Sequence, residues 1–187
     1  ETVASAFPLF HIGGAAVVFN ALRTASTFLL IPDPRDIDHF VAEMTARTPT
    51  VLAAVPALYQ MLCANETFKG LDFSSLRMAI SGAAPFAREE VQRLESVIGK
   101  NKFCEVYGMT ENLAWSHTTE EGDQKIGWVG TPNDGVECRI GDGGEILVRS
   151  LGNMKGYYKQ PDKTAEDLTE DGWLHTGDVG EIDEKGR

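Results

Sequence analysis

Short apolar segments typical of strands alternate with amphipathic segments typical of helices over the first two-thirds of the chain. The clearest helix signal lies at residues 85–99, where a proline stands near the start, glutamates follow, and the apolar residues fall on one face. Other helix-like segments are AAVVFNALRTAST, DPRDIDHFVAEMTART and ALYQMLCAN, and the strand-like segments are TFLLIP, TVLAAVP, LRMAISGAA and KFCEVYG. This order predicts a parallel sheet covered by helices.

The pattern changes after about residue 123, where short strand-like segments are separated by Gly, Pro and Asp. They read WVGTP, VECRIGDGGEILVRS, GYYKQP and WLHTGDVGEIDEKG, and GDGG is a strong hairpin signal. The expected fold class is therefore α/β, with a mostly parallel sheet flanked by helices, followed by a small antiparallel β unit that resembles a partial barrel. We expect residues 1–125 to form the α/β subdomain and residues 126–187 the β-rich one.

The net charge of −11 and the lack of a basic cluster argue against nucleic acid as a partner. Cys63, Cys104 and Cys138 are scattered, so they form neither a metal-ligand cluster nor a disulfide framework. Unpaired cysteines favour a reducing setting, and we expect a cytoplasmic location. No apolar run approaches the roughly 20 residues that a transmembrane helix needs.

Two predicted strand ends carry candidate binding residues, because ligands of parallel sheets collect at the carboxyl ends of the strands. SGAAP, residues 81–85, consists of small residues that let backbone approach a flat ligand, and the N–H groups of the following helix would point at the same space. Taken alone, this segment is more often a plain turn between strand and helix.

YGMTE, residues 107–111, adds polar groups at the next strand end. Tyr107 offers a ring for stacking, Gly108 leaves room for a ligand, and Thr110 can donate to a phosphate oxygen. Glu111 is a hard oxygen ligand of the kind that Mg²⁺ uses together with substrate phosphates. Read alone, Glu111 could equally be a solvated loop carboxylate and Tyr107 a core aromatic residue.

Two further residues are candidates on weaker grounds. Asp178, in HTGD, could accept hydrogen bonds from the vicinal hydroxyls of a ribose, although a turn aspartate that bonds its own backbone is the simpler interpretation. His11, in PLFHIGG, stands beside Gly13 and Gly14, and a lone histidine is usually structural.

The motifs are far more specific together than singly. In order, the chain reads PLFHIGG, VPALYQML, LRMAISGAAP, EVYGMTE, GWVGTP, GEILVRS, MKGYYKQPDKT and DGWLHTGDVGEIDEKGR. This succession resembles the adenylate-forming (AMP-binding) superfamily, and within it the fatty-acyl-CoA and related acyl-CoA synthetases. The resemblance covers essentially the whole chain.

The resemblance implies a two-step reaction. The carboxylate of an acid, a fatty acid by this resemblance, attacks the α-phosphate of Mg²⁺-bound ATP to give an acyl-adenylate, and coenzyme A then displaces AMP. By this resemblance, Gly82, Ala83 and Ala84 would lie against the adenine, and Tyr107 would stack on it. Thr110 would contact the phosphate, Glu111 would bind Mg²⁺, and Asp178 would bind the ribose. His11 would lie near the acyl carboxylate, and Gly13, Val106 and Gly108 would border the acyl site.

Some family features are missing from the chain. The glycine-rich phosphate loop with its lysine, the hinge arginine after TGD and the C-terminal domain with its catalytic lysine do not occur, and Arg187 stands too early to be the hinge residue. By resemblance, the chain is an excerpt from the middle of the large N-terminal domain. We expect it not to catalyse adenylation by itself, and an uncovered apolar face could drive it into a homo-oligomer.

Three alternative functions stay open. An amino-acid-activating enzyme usually keeps an aspartate in the segment that here reads FPLFHIGG, which contains no acidic residue. An aryl-CoA ligase is compatible with the motifs. A module that binds nucleotide without catalysis is the third alternative.

Val106, just before Tyr107, is bulkier than the glycine that the family often has at this position, which argues against a wide, straight acyl tunnel.

Overall fold

Seven strands form the larger of two sheets in the computed structural model, which describes all 187 residues. The strands are β1 (Thr2–Ser5), β2 (Thr27–Leu30), β3 (Val51–Ala54), β4 (Met78–Ser81), β5 (Phe103–Tyr107), β6 (His117–Thr118) and β7 (Thr131–Pro132). Their order across the sheet is β2-β1-β3-β4-β5-β6-β7. The first five are parallel, and β6 and β7 are antiparallel additions at one edge.

Helices connect the parallel strands and cover both faces of the sheet. They are α1 (Ile12–Arg23), α2 (Ile37–Arg47), α3 (Pro56–Ala64), α4 (Glu66–Lys69), α5 (Arg88–Ile98) and, later in the chain, α6 (Pro161–Asp167). The buried residues of α2, α3 and α5 join one core cluster, and Val17 of α1 joins a second one. None of these helices has both the length and the apolar character that crossing a membrane requires.

A second, smaller sheet follows, with three antiparallel strands. They are β8 (Val136–Ile140), β9 (Glu145–Ser150) and β10 (Leu174–Val179), in the order β10-β9-β8. The predicted GDGG hairpin joins β8 to β9 through a short 3-10 turn. The predicted fold class is confirmed. The division at residues 125/126 stays a prediction, and β7, which follows that point, pairs within the larger sheet.

One expected strand was wrong, one was shorter than expected, and the short strands β1 and β6 were missed. The segment GYYKQP is not a strand: it turns, and Pro161 then begins α6, where a residue without an N–H costs no helical hydrogen bond. WVGTP contributes only the two residues of β7. The unpredicted β1 is only four residues long. Its Ala4 and Ser5 are less hydrophobic than typical strand residues, although Ala4 is fully buried.

Two helices begin at other residues than expected. Helix α1 begins at Ile12 and not after the glycine pair, because the Nδ1 atom of His11 accepts a hydrogen bond from the Gly13 N–H at 3.1 Å and caps the helix. Helix α5 begins at Arg88, beyond the loop that contains Pro85. The N–H groups of α5 therefore do not follow SGAAP directly, as the sequence had suggested.

Tyr59 of α3 ties the helices to the middle of the sheet. Its side chain is fully buried, and its hydroxyl lies 2.9 Å from the carbonyl oxygens of both Leu52 and Ile80, on neighbouring strands. Its ring packs against Phe86 and Phe103 with centroid separations of 5.9 and 6.5 Å. Tyr59 thus connects α3 to β3, to β4 and to the start of β5.

Replacing Tyr59 with Phe should lower the free energy of unfolding by about 1–2 kcal/mol, because a buried hydrogen bond is lost while the ring stays in place. Urea denaturation followed by circular dichroism measures this change. Tyr158→Phe, at a side chain that is 84% exposed, is the matched control and should leave the unfolding free energy unchanged. Equal stability of the Tyr59 and Tyr158 variants would show that the buried hydroxyl contributes nothing.

Candidate functional site

The loops that follow β1, β4 and β5 lie at the same edge of the parallel sheet. Between them is a cavity of about 250 Å³. The sequence-predicted residues that line it are His11, Gly13, Gly82, Ala83, Val106, Gly108, Thr110 and Glu111. Apart from His11, Glu111 is its only charged or titratable wall residue. The carboxyl ends of the strands thus bring together residues from three separate sequence motifs.

A second, larger cavity of about 550 Å³ lies between the two sheets. Its volume falls within the range of about 300–1,000 Å³ that is typical of small-molecule sites. The predicted residues in its wall are Ala83, Ala84, Val106, Tyr107, Gly108 and Asp178. Ala83, Val106 and Gly108 line both cavities, so the two adjoin along the ends of β4 and β5. Every predicted site residue lines one cavity or both.

Tyr107 and Asp178 close the larger cavity by a direct contact between the two sheets. The Tyr107 hydroxyl donates a hydrogen bond to the Asp178 carboxylate over 2.7 Å. Burial, with the neighbouring Asp178 charge adding to it, raises the pKa of Tyr107, so the phenol remains a proton donor. Asp178 itself is exposed, and its second carboxylate oxygen remains available to a ligand.

Glu145 of β9 holds the turn that presents Asp178. One carboxylate oxygen accepts the Gly177 N–H at 2.9 Å, and the other lies 2.8 Å from Nδ1 of His175. Both bonds lower the pKa of Glu145, and the bond to His175 has the larger effect. Gly177 has a φ of +73°, which a residue with a side chain rarely adopts. The HTGD turn is therefore fixed from outside the motif.

The glycines of the two strand-end motifs are required by close packing within the chain. A Cβ atom on Gly108 would lie 1.9 Å from the Ala114 carbonyl oxygen, and one on Gly82 would lie 2.8 Å from the Val106 side chain. Gly108 was expected because it leaves space for a ligand. The structure gives a second reason, since the loop after β5 folds back onto this glycine and a side chain would collide with it.

Glu111 lies on a 3-10 turn, Thr110–Asn112, directly after β5. Its carboxylate is half-buried, and the Tyr157 hydroxyl lies 3.1 Å from its Oε1 atom. Partial burial, followed by the nearby Glu111 and Asp167 carboxylates, raises the pKa of Tyr157 to about 12. Glu111 forms no ion pair, so its charge is free to meet a cation.

The structure contains no group of three or more His, Cys, Asp or Glu side chains that could hold a metal ion by themselves. One carboxylate beside a cavity nevertheless suits Mg²⁺, which keeps several waters and is commonly held by one or two carboxylates together with substrate phosphates. The donor set therefore fits a Mg²⁺ ion that arrives with a phosphate ligand. Glu111 would be its protein ligand.

His11 combines a structural position with an exposed ring. Its Nδ1 atom caps α1 through the Gly13 N–H, and the ring lines the smaller cavity. A Cβ atom on Gly14 would lie 2.2 Å from the Pro8 carbonyl oxygen, so this glycine lets the loop cross close to the helix. The local reason for the HIGG pattern is thus the tight start of the helix.

Glu105 is a cavity residue that the sequence did not suggest. It is 9% exposed, lines the larger cavity, and accepts the Gly127 N–H at 2.9 Å. Burial raises the pKa of its carboxyl group. The sequence did contain a sign of this residue, because Glu105 is an acidic residue inside the otherwise apolar strand FCEVY.

Trp128 also lines the larger cavity, and the Lys125 Nζ atom lies 3.3 Å from the centroid of its ring.

His117 was also missed, and it supports Tyr107 from β6. The two rings are 5.7 Å apart, and His117 Nδ1 lies 2.9 Å from the Ser116 hydroxyl. Burial lowers the pKa of His117 to about 4, so the ring is neutral at physiological pH. Its position opposite Tyr107 follows from the register of β5 and β6, which the sequence does not reveal.

Known CoA ligases are similar to this chain over nearly all of its length. The chain is 35% identical over its whole length to a long-chain-fatty-acid–CoA ligase of Yersinia pestis. Over 96% of its length it is 34% identical to 3-[(3aS,4S,7aS)-7a-methyl-1,5-dioxo-octahydro-1H-inden-4-yl]propanoyl:CoA ligase of Rhodococcus jostii. The chain spans 35% of the length of each of these curated relatives.

A solved structure of a malonyl-CoA ligase, a ternary product complex with methylmalonyl-CoA and AMP bound, superimposes on the whole chain with a TM-score of 0.85. The identity is 28%, and the chain covers 42% of that protein. Residues 1–158 match the family described as AMP-binding enzyme. The chain belongs to the AMP-binding enzyme family, as the order of its motifs predicted.

Proposed function

We propose that the protein containing this chain is an AMP-forming acid–CoA ligase, which joins a carboxylic acid to coenzyme A at the expense of ATP. The observation that carries the proposal is the pair of adjoining cavities, whose walls contain every residue that the motifs had singled out. One cavity suits a nucleoside and the other an acid with the reacting phosphate. The relatives' names, which are those of CoA ligases, support the same reaction.

The larger cavity would bind the adenosine part of ATP. The small residues Ala83 and Ala84 border one side and the ring of Tyr107 another, which suits a flat base. Asp178 stands on the opposite sheet with an exposed carboxylate that can accept hydrogen bonds from two ribose hydroxyls. The bond from Tyr107 fixes that carboxylate before the nucleotide arrives, which lowers the entropic cost of binding.

The smaller cavity would hold the acid and the α-phosphate. Thr110 is exposed at its edge and can donate to a phosphate oxygen, and Glu111 would hold Mg²⁺. The ion, when bound, would neutralise charge on the phosphates during carboxylate attack. The imidazole of His11 lies in the same wall, where it can orient the acid's carboxylate. Positioning and charge neutralisation are thus the contributions of these residues.

We propose a fatty acid as the acid substrate. The names of several relatives support this choice, and seven of the 13 residues in the wall of the smaller cavity are hydrophobic. An amino-acid substrate would require an acidic side chain to pair with its ammonium group, and Glu111 is the only acidic residue in that wall.

The three cysteines are all free thiols, which supports the expected cytoplasmic setting.

In the full-length protein, Glu111→Gln should lower the rate of adenylation on the order of 100-fold, because the metal ligand loses its charge. Pyrophosphate release with saturating acid and ATP measures this rate. Glu120→Gln changes an exposed carboxylate with no hydrogen-bonded side chain and serves as the control. A Glu111→Gln protein that works at the wild-type rate would refute the metal assignment.

Asp178→Ala should raise the Michaelis constant for ATP by about 10-fold or more, since two hydrogen bonds to a charged acceptor are lost, while the constant for the acid changes little. Steady-state kinetics with each substrate varied in turn separates the two effects. Asp134→Ala, at another exposed aspartate, should leave both constants unchanged. An unaltered ATP constant in the Asp178 variant would contradict the ribose role.

We also propose that the 187-residue chain by itself does not adenylate an acid, because it spans only about a third of the curated relatives' length. A pyrophosphate-release assay of the isolated chain should show no acid-dependent signal above background. The full-length protein, assayed beside it, is the positive control. Acid-dependent turnover by the isolated chain would show that the described residues suffice.

A further inference from the structure

The segment MKGYYKQPDKT, residues 154–164, wraps around Glu111, although the proposed function gives it no role. The Met154 N–H donates to the Glu111 carbonyl oxygen at 2.7 Å, and the Tyr157 N–H donates to the Thr164 hydroxyl oxygen at 2.9 Å. A Cβ atom on Gly156 would lie 2.8 Å from the Thr164 methyl group, so the close turn needs glycine. The segment therefore fixes the Tyr157 side chain against the Glu111 turn.

The Tyr157 hydroxyl lies between two carboxylates. Its oxygen is 3.1 Å from Oε1 of Glu111 and 3.1 Å from Oδ2 of Asp167. A phenol carries one hydroxyl proton, so it can donate to only one of the two acids at a time. The other acid then faces the oxygen lone pairs. The contact is consequently one hydrogen bond with two alternative acceptors.

The two acceptors differ in how their charge is balanced. Asp167 has a cation at hand, because Lys163 Nζ lies 2.8 Å from its Oδ1 atom. Glu111 forms no ion pair and has the Tyr157 hydroxyl as its only side-chain partner. In the ligand-free chain the proton therefore stabilises Glu111 more than Asp167. A divalent cation at Glu111 would reverse this order and leave the proton to Asp167.

We propose that Tyr157 is a positioning residue that holds the Glu111 carboxylate ready for a divalent cation, with Asp167 as the second acceptor of its hydroxyl proton. The inference rests on the proposed function, in which Glu111 is the metal ligand. The hydroxyl keeps two like charges apart and orients one of them. Without it, Glu111 and Asp167 face each other directly, and Glu111 turns away from the cavity.

The test measures metal affinity without turnover, in the full-length protein. Free Mn²⁺ is followed by electron paramagnetic resonance in the presence of a non-hydrolysable ATP analogue. Tyr157→Phe should weaken Mn²⁺ affinity by about tenfold, because Glu111, repelled by Asp167, must first be brought back to the cavity. Asp167→Asn alone should change it by less than about twofold, because the Tyr157 hydroxyl still holds Glu111 and the lost ion pair involves a half-exposed lysine.

The double variant decides between positioning and mere structural support. If the hydroxyl serves to separate two charges, Tyr157→Phe combined with Asp167→Asn should return Mn²⁺ affinity to within about twofold of wild type. Tyr158→Phe, at the exposed neighbouring tyrosine, is the control and should match wild type. Melting temperatures of all variants, measured in parallel, report whether the fold persists.

The outcomes separate the inference from the function on which it rests. Wild-type Mn²⁺ affinity in Tyr157→Phe, or a double variant no better than Tyr157→Phe, would overturn the role of Tyr157. A wild-type protein that binds no Mn²⁺ with the nucleotide analogue, or Glu111→Gln that binds it like wild type, would instead overturn the metal role of Glu111.

Discussion

A hydrogen bond between two side chains from different sheets, Tyr107 to Asp178, fixes the geometry on which the site depends. Tyr107 ends the last parallel strand, and Asp178 belongs to a strand that follows some seventy residues later. The bond joins their tips over 2.7 Å, and the larger cavity lies beside it. Because the donor is partly buried and stays protonated, the contact survives over the physiological pH range. This bond therefore sets the width of the cleft between the two sheets.

The motif residues divide into those that face the cavities and those that hold them in place. Glu145 secures the Asp178 turn, and Tyr157 lies against Glu111. Gly108 lets its loop fold back onto the Ala114 carbonyl oxygen. The functional groups thus sit on short turns that are tied by side chains from elsewhere in the chain. Such support from outside the motif is what holds a site to the tolerance that catalysis requires.

The sequence revealed the parallel architecture because its helices have strong apolar periodicity and its buried strands end at Gly or Pro, as β3 does before Pro56. It did not reveal β1, a strand of only four residues that pairs with β2 and β3 on either side. GYYKQP was misread because its aromatic residues favour strands, while the start of α6 depends on Pro161 and on a contact with Thr164. The proximity of the candidate residues at the strand ends could be predicted, because topology places them together. Their supports could not, because the contacts of Glu145 and Tyr157 are set by register and tertiary packing.

The convergence of two sheets on one nucleotide is tested most directly by a crystal structure of the full-length protein with a non-hydrolysable ATP analogue. We expect adenine beside Ala83, Ala84 and the Tyr107 ring, with both ribose hydroxyls within hydrogen-bond distance of the Asp178 carboxylate. We also expect the α-phosphate next to Thr110, where the two cavities adjoin. A nucleotide bound elsewhere, or one whose ribose lies away from Asp178 while the cleft stays empty, would contradict this convergence.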